Sequence, residues 1–217
     1  MSLFQHITGV NAKDDIGYTE LHNQRDETVV KMLIEEGVDV NAKGRNGFTP
    51  LYTQTKNIVK LLIEAGADVN VKTTGGNTPL YYQDFESMKL LIEAGADVNV
   101  KNRFGESPLH FHHKEDEIRL LIDSGADVKV KNNYGDTPLH HQNSLEVVKL
   151  FIELGVDVNA KNMYGVTPLH CRKKLEVVKA LVEAGADVNA RNVYGCEPLD
   201  CQDNDNVIDY LRQHILN

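Results

Sequence analysis

The sequence predicts an all-α repeat solenoid built from short helix pairs and turn-like fingers, and three observations carry that prediction. A four-residue signature, TPLH in its fullest form, begins at Thr19, Thr49, Thr78, Ser107, Thr137, Thr167 and, degenerately, Glu197, at spacings of 30, 29, 29, 30, 30 and 30 residues. Two sets of glycines keep the same beat: Gly17, Gly47, Gly76, Gly105, Gly135, Gly165 and Gly195 before the signature, and Gly37, Gly66, Gly95, Gly125, Gly155 and Gly185 after it. Between the signature and the second glycine, every full copy carries an amphipathic stretch of helical period. Self-similarity at a fixed period of about 20–50 residues marks stacked units that bury their apolar faces against one another.

The copy from Thr137 to Gly165 justifies each element in turn. Thr137 suits a helix N-cap and Pro138 the first helical position, where a missing N–H costs nothing, so a short inner helix starts there. Leu145, Val148 and Ile152 follow at i, i+3 and i+7, widened by Val147 and Phe151, with Glu146, Lys149 and Glu153 facing water. That pattern predicts an outer helix. Gly155 falls where a left-handed C-cap is wanted, and Val156 to Gly165 alternates and ends in a glycine turn, giving an extended finger.

The TPLH signature, the consensus LEVVKLLIEAGADVN and the link NAKNxYG together resemble the ankyrin repeat, over residues 11–217. The resemblance implies stacked helix pairs with β-turn fingers projecting at right angles, and an inner corner that binds other proteins. One departure is systematic. The family's unit is about 33 residues long, whereas here only HQNS separates His140 from Leu145. Roughly one turn of each inner helix is missing at about 3.6 residues per turn, so the inner helices are expected to be stubby and partly 3₁₀, and their groove shallow.

The expected organisation is one domain, 1–217, with an N-terminal cap at 1–10, repeats at 11–40, 41–69, 70–98, 99–128, 129–158 and 159–188, and a capping repeat at 189–217. Leu3, Phe4 and Ile7 make the first cap a half-repeat. In the last, Val207, Ile208, Leu211 and Ile215 form an apolar face opposite Asp205, Asp209, Arg212 and Gln213. Polar outer ends of this kind are what a complete array needs.

A net charge of -9 and an acidic pI of about 5.4 disfavour a nucleic-acid binder and favour a partner with a basic face. The sequence has no run of about 18 apolar residues and no basic-then-apolar leader, so neither a membrane span nor a secretory signal is expected. Three cysteines, Cys171, Cys196 and Cys201, are too few and too clustered for a disulfide framework. A cytoplasmic monomer is the expectation, with export without a cleavable signal left open. The chain has no GxSxG, HExxH or phosphate-cradling glycine loop, so neither a catalytic residue nor a cofactor is assigned.

Residues one period apart stand above one another, so function is sought in columns. The fourth signature position holds His22, Tyr52, Tyr81, His110, His140, His170 and Asp200; the resemblance implies that its histidine bonds the signature threonine and the neighbouring turn. Two residues on come Gln24, Gln54, Gln83, His112, Gln142, Arg172 and Gln202. That column either satisfies the last carbonyls of the clipped inner helix or forms a polar ladder on the groove floor, with His112 and Arg172 as its exceptions. Before the turn glycines stand Ile16, Asn46, Gly75, Phe104, Tyr134, Tyr164 and Tyr194, flanked in the C-terminal half by Arg103, Asn133, Met163 and Val193. These aromatics either anchor a partner or pack on the next finger. The histidines His110, His112, His113, His140, His141 and His170, with Cys171 beside them, crowd the middle; helix spacing argues against a metal site, although His112 and His141 are candidates to meet at the groove. The link asparagines Asn41, Asn70, Asn99, Asn159 and Asn189 resemble those hydroxylated in ankyrin proteins of animal cells, with bonding of the turn backbone as their structural role. Lys129 replaces asparagine in one unit, where a less tightly braced finger is expected.

The preferred function is that of a non-enzymatic protein-binding module. Its expected contact surface is Arg103, Phe104, Phe111, His112, Asn133, Tyr134, His141, Met163, Tyr164, Cys171, Arg172, Val193 and Tyr194. The alternatives are a dedicated inhibitor, immunity or host-directed effector protein that neutralises an enzyme, and a metal-responsive module using the histidines.

Overall fold

The computed structural model describes residues 9–215, so the expected half-repeat at Leu3, Phe4 and Ile7 lies outside the described residues. Contacts gather the chain into two compact units that meet in sequence at Arg103 and Phe104. In the first unit the helix pairs are Glu20–Asn23 with Glu27–Glu35, Pro50–Thr53 with Lys56–Glu64, and Pro79–Tyr81 with Phe85–Glu93. The second has Pro108–Phe111 with Glu115–Asp123, Pro138–His141 with Leu145–Glu153, Pro168–Cys171 with Leu175–Glu183, and Pro198–Cys201 with Asp205–Ile215.

Every inner element is a single turn, and those at Pro50–Thr53, Pro79–Tyr81, Pro168–Cys171 and Pro198–Cys201 are 3₁₀. This is the stub that the shortened repeat requires, because three or four residues cannot close a second α-turn. Outer helices run nine residues in each full repeat, and Gly155, at φ +67°, ends one of them in the left-handed conformation with its N–H on Ile152 O at 2.9 Å.

The buried stripe differs from the expected one. Val147, Val148, Leu150 and Phe151 are buried, whereas Leu145 and Ile152 are only half-buried. An outer helix here is pressed by its own inner turn and by the next outer helices, so its core line runs through the positions assigned to the flank of the stripe. In the capping repeat Val207 and Leu211 are buried and Ile208 and Ile215 half-buried.

Within each unit, polar side chains fasten one repeat to the next. His140 Nδ1 accepts from the backbone N–H of Thr137 at 3.0 Å, which places its proton on Nε2, 3.1 Å from Val166 O in the following repeat. His22, His110 and His170 repeat the arrangement, reaching Phe48 O, Asp136 O and Cys196 O. Tyr52 and Tyr81 do half of it. Their hydroxyls reach carbonyls of the next repeat, Tyr52 at 2.8 Å from Asn77 O and Tyr81 at 2.8 Å from Val100 O. A phenol has no acceptor facing back toward the signature, and the Thr49 and Thr78 hydroxyls are accordingly buried without a partner.

The glutamine column is likewise structural, but it serves the preceding repeat rather than its own. Gln54 Nε2 donates to Leu21 O and His22 O at 3.2 Å, Gln83 to Leu51 O at 2.8 Å, and Gln142 to Leu109 O and His112 O at 3.3 and 3.0 Å. Gln202 instead donates within its own repeat, to Pro198 O, and Gln24 Oε1 accepts from the N–H groups of Arg25 and Asp26 that follow it. Clipping the inner helix leaves carbonyls unpaired at its end, and a long amide one repeat later is placed to bond them.

Candidate functional site

The fingers of the second unit are built on asparagines. Asn132 Oδ1 accepts from the N–H of Tyr134 at 2.9 Å and of Asp136 at 3.0 Å; Asn162 does the same for Tyr164 and Val166, and Asn192 for Tyr194 and Cys196. Each asparagine side chain therefore mimics a turn and holds the tip residue in place. Successive tips are joined backbone to backbone: Asn133 N to Phe104 O at 2.8 Å, Met163 N to Tyr134 O at 2.8 Å and Val193 N to Tyr164 O at 2.9 Å. The signal in the sequence is an asparagine two residues before each tip.

This frame presents apolar side chains to water. Phe104 is 46% exposed, Tyr134 43%, Met163 61%, Tyr164 40%, Val193 63% and Tyr194 76%. Tyrosine and phenylalanine on a braced turn retain few degrees of freedom, so burying them against another surface costs little entropy.

The profile for ankyrin repeats in three copies matches residues 21–83 and 81–162, and that for a single ankyrin repeat matches 164–193. The chain belongs to the ankyrin-repeat family. No curated protein matches it. Ankyrin repeats are generally modules that bind other proteins and are typically non-enzymatic, and the fingers just described are the ankyrin element that faces outward here.

Two residues assigned to the ankyrin groove surface are not on it. Arg172 is 2% exposed, its guanidinium bonded to Pro168 O at 3.2 Å, to Asn143 Oδ1 at 2.9 Å and to His140 O. It takes the role of the glutamines in its column, and burial lowers its pKa. His112 is 5% exposed, with Nδ1 3.0 Å from Glu117 Oε2. Both were expected on the floor because a column's direction cannot be read from its spacing. Glu117, itself 5% exposed and also 2.9 Å from Lys114 Nζ, stands where Ile58, Val147 and Val177 fill the core of other repeats.

The remaining candidates are dispersed. Arg103 closes the first unit, its N–H on Gly75 O at 2.9 Å and its guanidinium on Thr74 O at 3.2 Å. Phe111 is half-buried, and Asn133 is exposed. His141 lies 3.5 Å from Asp136 and 5.6 Å, edge-on, from the His110 ring. His112 and His141 thus face different carboxylates and do not form a pair. Asp136 also accepts from Asn162 Nδ2 at 2.8 Å, and His141 first, then this amide, holds its carboxyl well below the usual range. Cys171 is exposed as a residue, yet its Sγ turns in toward Thr167 O at 3.7 Å and desolvation raises its pKa. Among the described residues no group of three or more His, Cys, Asp or Glu is arranged to hold a metal ion, and no helix is long and apolar enough to cross a membrane.

The His112–Glu117 pair has a measurable consequence. His112→Ala is expected to destabilise the chain by about 1–3 kcal/mol by removing a partner of a buried carboxylate. His112→Gln with Glu117→Val, which installs the residues of the following repeat, is expected to be at least as stable as the parent, since valine fills the core in place of a buried carboxylate and the amide can bond carbonyls as Gln142 does. Urea denaturation of both variants checks the contrast.

Proposed function

We propose that this chain is a non-enzymatic protein-binding module whose contact surface is the row of finger tips in the second unit. Phe104, Tyr134, Tyr164 and Tyr194, with Met163 and Val193 beside them, are the anchors. One observation carries this reading: these six side chains account for most of the large apolar residues exposed among the described ones, and they sit on fingers joined by the tip-to-tip backbone bonds, with asparagine fixing the turns of Tyr134, Tyr164 and Tyr194. A preformed aromatic row gains affinity by contact with little ordering. The net charge of -9 favours a partner with a basic face, and three free cysteines suit a reducing compartment such as the cytosol, where the chain acts as a monomer.

The test is a partner captured from lysate, identified, and titrated against purified protein. Tyr134→Ala with Tyr164→Ala is expected to weaken that titration by about tenfold or more, as truncating aromatic anchors does, while Lys149→Ala on the outer helix leaves it unchanged. Equal affinity for the tyrosine variant and the parent would move the contact surface elsewhere.

A further inference from the structure

The link between finger and outer helix carries an asparagine that clasps the next link. Asn11 donates to Gly37 O at 3.3 Å and accepts from Asp39 N–H at 2.6 Å; Asn41 does so with Gly66 O and Asp68, at 3.1 and 2.8 Å. Asn70 bonds Gly95 O and Asp97 at 2.9 and 2.8 Å, and Asn159 bonds Gly185 O and Asp187 at 2.9 and 2.8 Å. In each case one primary carboxamide fills a carbonyl and an N–H that face the same point.

At the equivalent place in the second unit stands Lys129. An ammonium cannot accept, so it cannot replace the carboxamide. Among the described residues nothing reaches Gly155 O or the N–H of Asp157, although the Asp157 carboxylate holds Asn159 N–H at 2.9 Å as its counterparts do. A cavity of about 220 Å³ opens at this junction, lined by Lys129, Lys131, Gly155, Asp157 and Ala160 among others.

We propose that this notch binds a primary carboxamide supplied from outside, the side chain of an asparagine or glutamine of a protein partner. The unfilled carbonyl and N–H stand at the repeat positions whose counterparts are filled by the carboxamides of Asn11, Asn41, Asn70 and Asn159. A carboxylate fits less well despite the two lysines, because it has no hydrogen for Gly155 O and would lie against the Asp157 carboxylate. The notch is a separate site from the finger tips and stands or falls independently of them.

The experiment uses the full-length protein labelled with ¹⁵N, titrated with propionamide and, separately, with the isosteric propionate. Propionamide is expected to shift the Asp157 amide saturably in the tens-of-millimolar range and to leave the Asp68 and Asp187 amides, already clasped, unmoved. Lys129→Asn, which closes the notch from within, is expected to abolish the response and to raise the thermal midpoint by about 2–4 °C, the effect of one added staple in a chain of this size. An equal Asp157 shift with propionate, a persisting shift in Lys129→Asn, or no saturable shift with propionamide would each overturn the proposal. None of these results touches the tip reading, which is decided by the tyrosine variants.

Discussion

Gly105→Ala is expected to destabilise the second unit by about 3 kcal/mol or more, whereas Gly185→Ala costs only about 1–2 kcal/mol. Both glycines have positive φ, +73° and +89°, so an alanine at either is strained by the left-handed backbone. Their surroundings differ. A Cβ on Gly105 would lie 2.8 Å from Asn133 N and 2.3 Å from Asn133 Oδ1, while a Cβ on Gly185 meets nothing within 4 Å. Asn133 N is the donor that ties its finger to Phe104 O, so relieving the overlap breaks that bond and shifts the first anchor of the row. Chemical denaturation of the two variants reads the difference, and equal losses would mean that fingers are not held in register by backbone contact. Partner affinity should fall in Gly105→Ala and not in Gly185→Ala.

Acidification below neutral pH is the second large effect. His22, His110, His140 and His170 all have pKa values lowered first by burial, and in each the Nδ1 accepts from a backbone N–H and has no room for a second proton. The unfolded chain therefore binds more protons than the folded one just below the ordinary histidine pKa of about 6.5. Stability is fully present above that value and falls as the pH drops toward the lowered folded values. Four sites act in the same direction. Asp136, with its carboxyl held low, contributes in the same sense but only further down, as the pH falls through the carboxylate range. An opposing effect comes from the net charge of -9, which shrinks as the pH nears the pI. That repulsion is between solvated, screened groups and is the weaker influence.

Thermal unfolding between pH 7.5 and 5.0 is expected to show a midpoint that declines steadily below pH 6.5. His140→Tyr supplies the control, because Tyr52 and Tyr81 already keep the bond to the next repeat without titrating in this range. Its decline should be shallower than the parent's. A midpoint unchanged across the interval, or a variant as steep as the parent, would remove the histidines as the cause. Binding at the finger tips carries no histidine, so a partner's affinity for the folded protein should change little over the same range.

The clipped inner turns, the nine-residue outer helices and the finger glycines were legible in the order of residues, since each depends on spacing within one unit. The tip aromatics were also legible as candidates, because their column changes character at Phe104. Less legible was the difference between a polar residue that faces out and one that faces in. Arg172 and His112 read as surface exceptions in a polar ladder, yet both are buried and bonded, and Asn132, Asn162 and Asn192 carry no signal of their own in the sequence beyond their place before each tip, yet they shape the site.

By itself the sequence determined the period, the family, the helix pair within each unit and the positions where glycine alone can turn the chain. Those follow from hydrophobic spacing and backbone sterics, which act over a few residues and repeat. Only the tertiary structure decided where each 30-residue column points and whose carbonyls it satisfies. That direction depends on how one unit rotates onto the next, so a glutamine, an arginine or a link asparagine finds its partner in a neighbouring repeat rather than in its own.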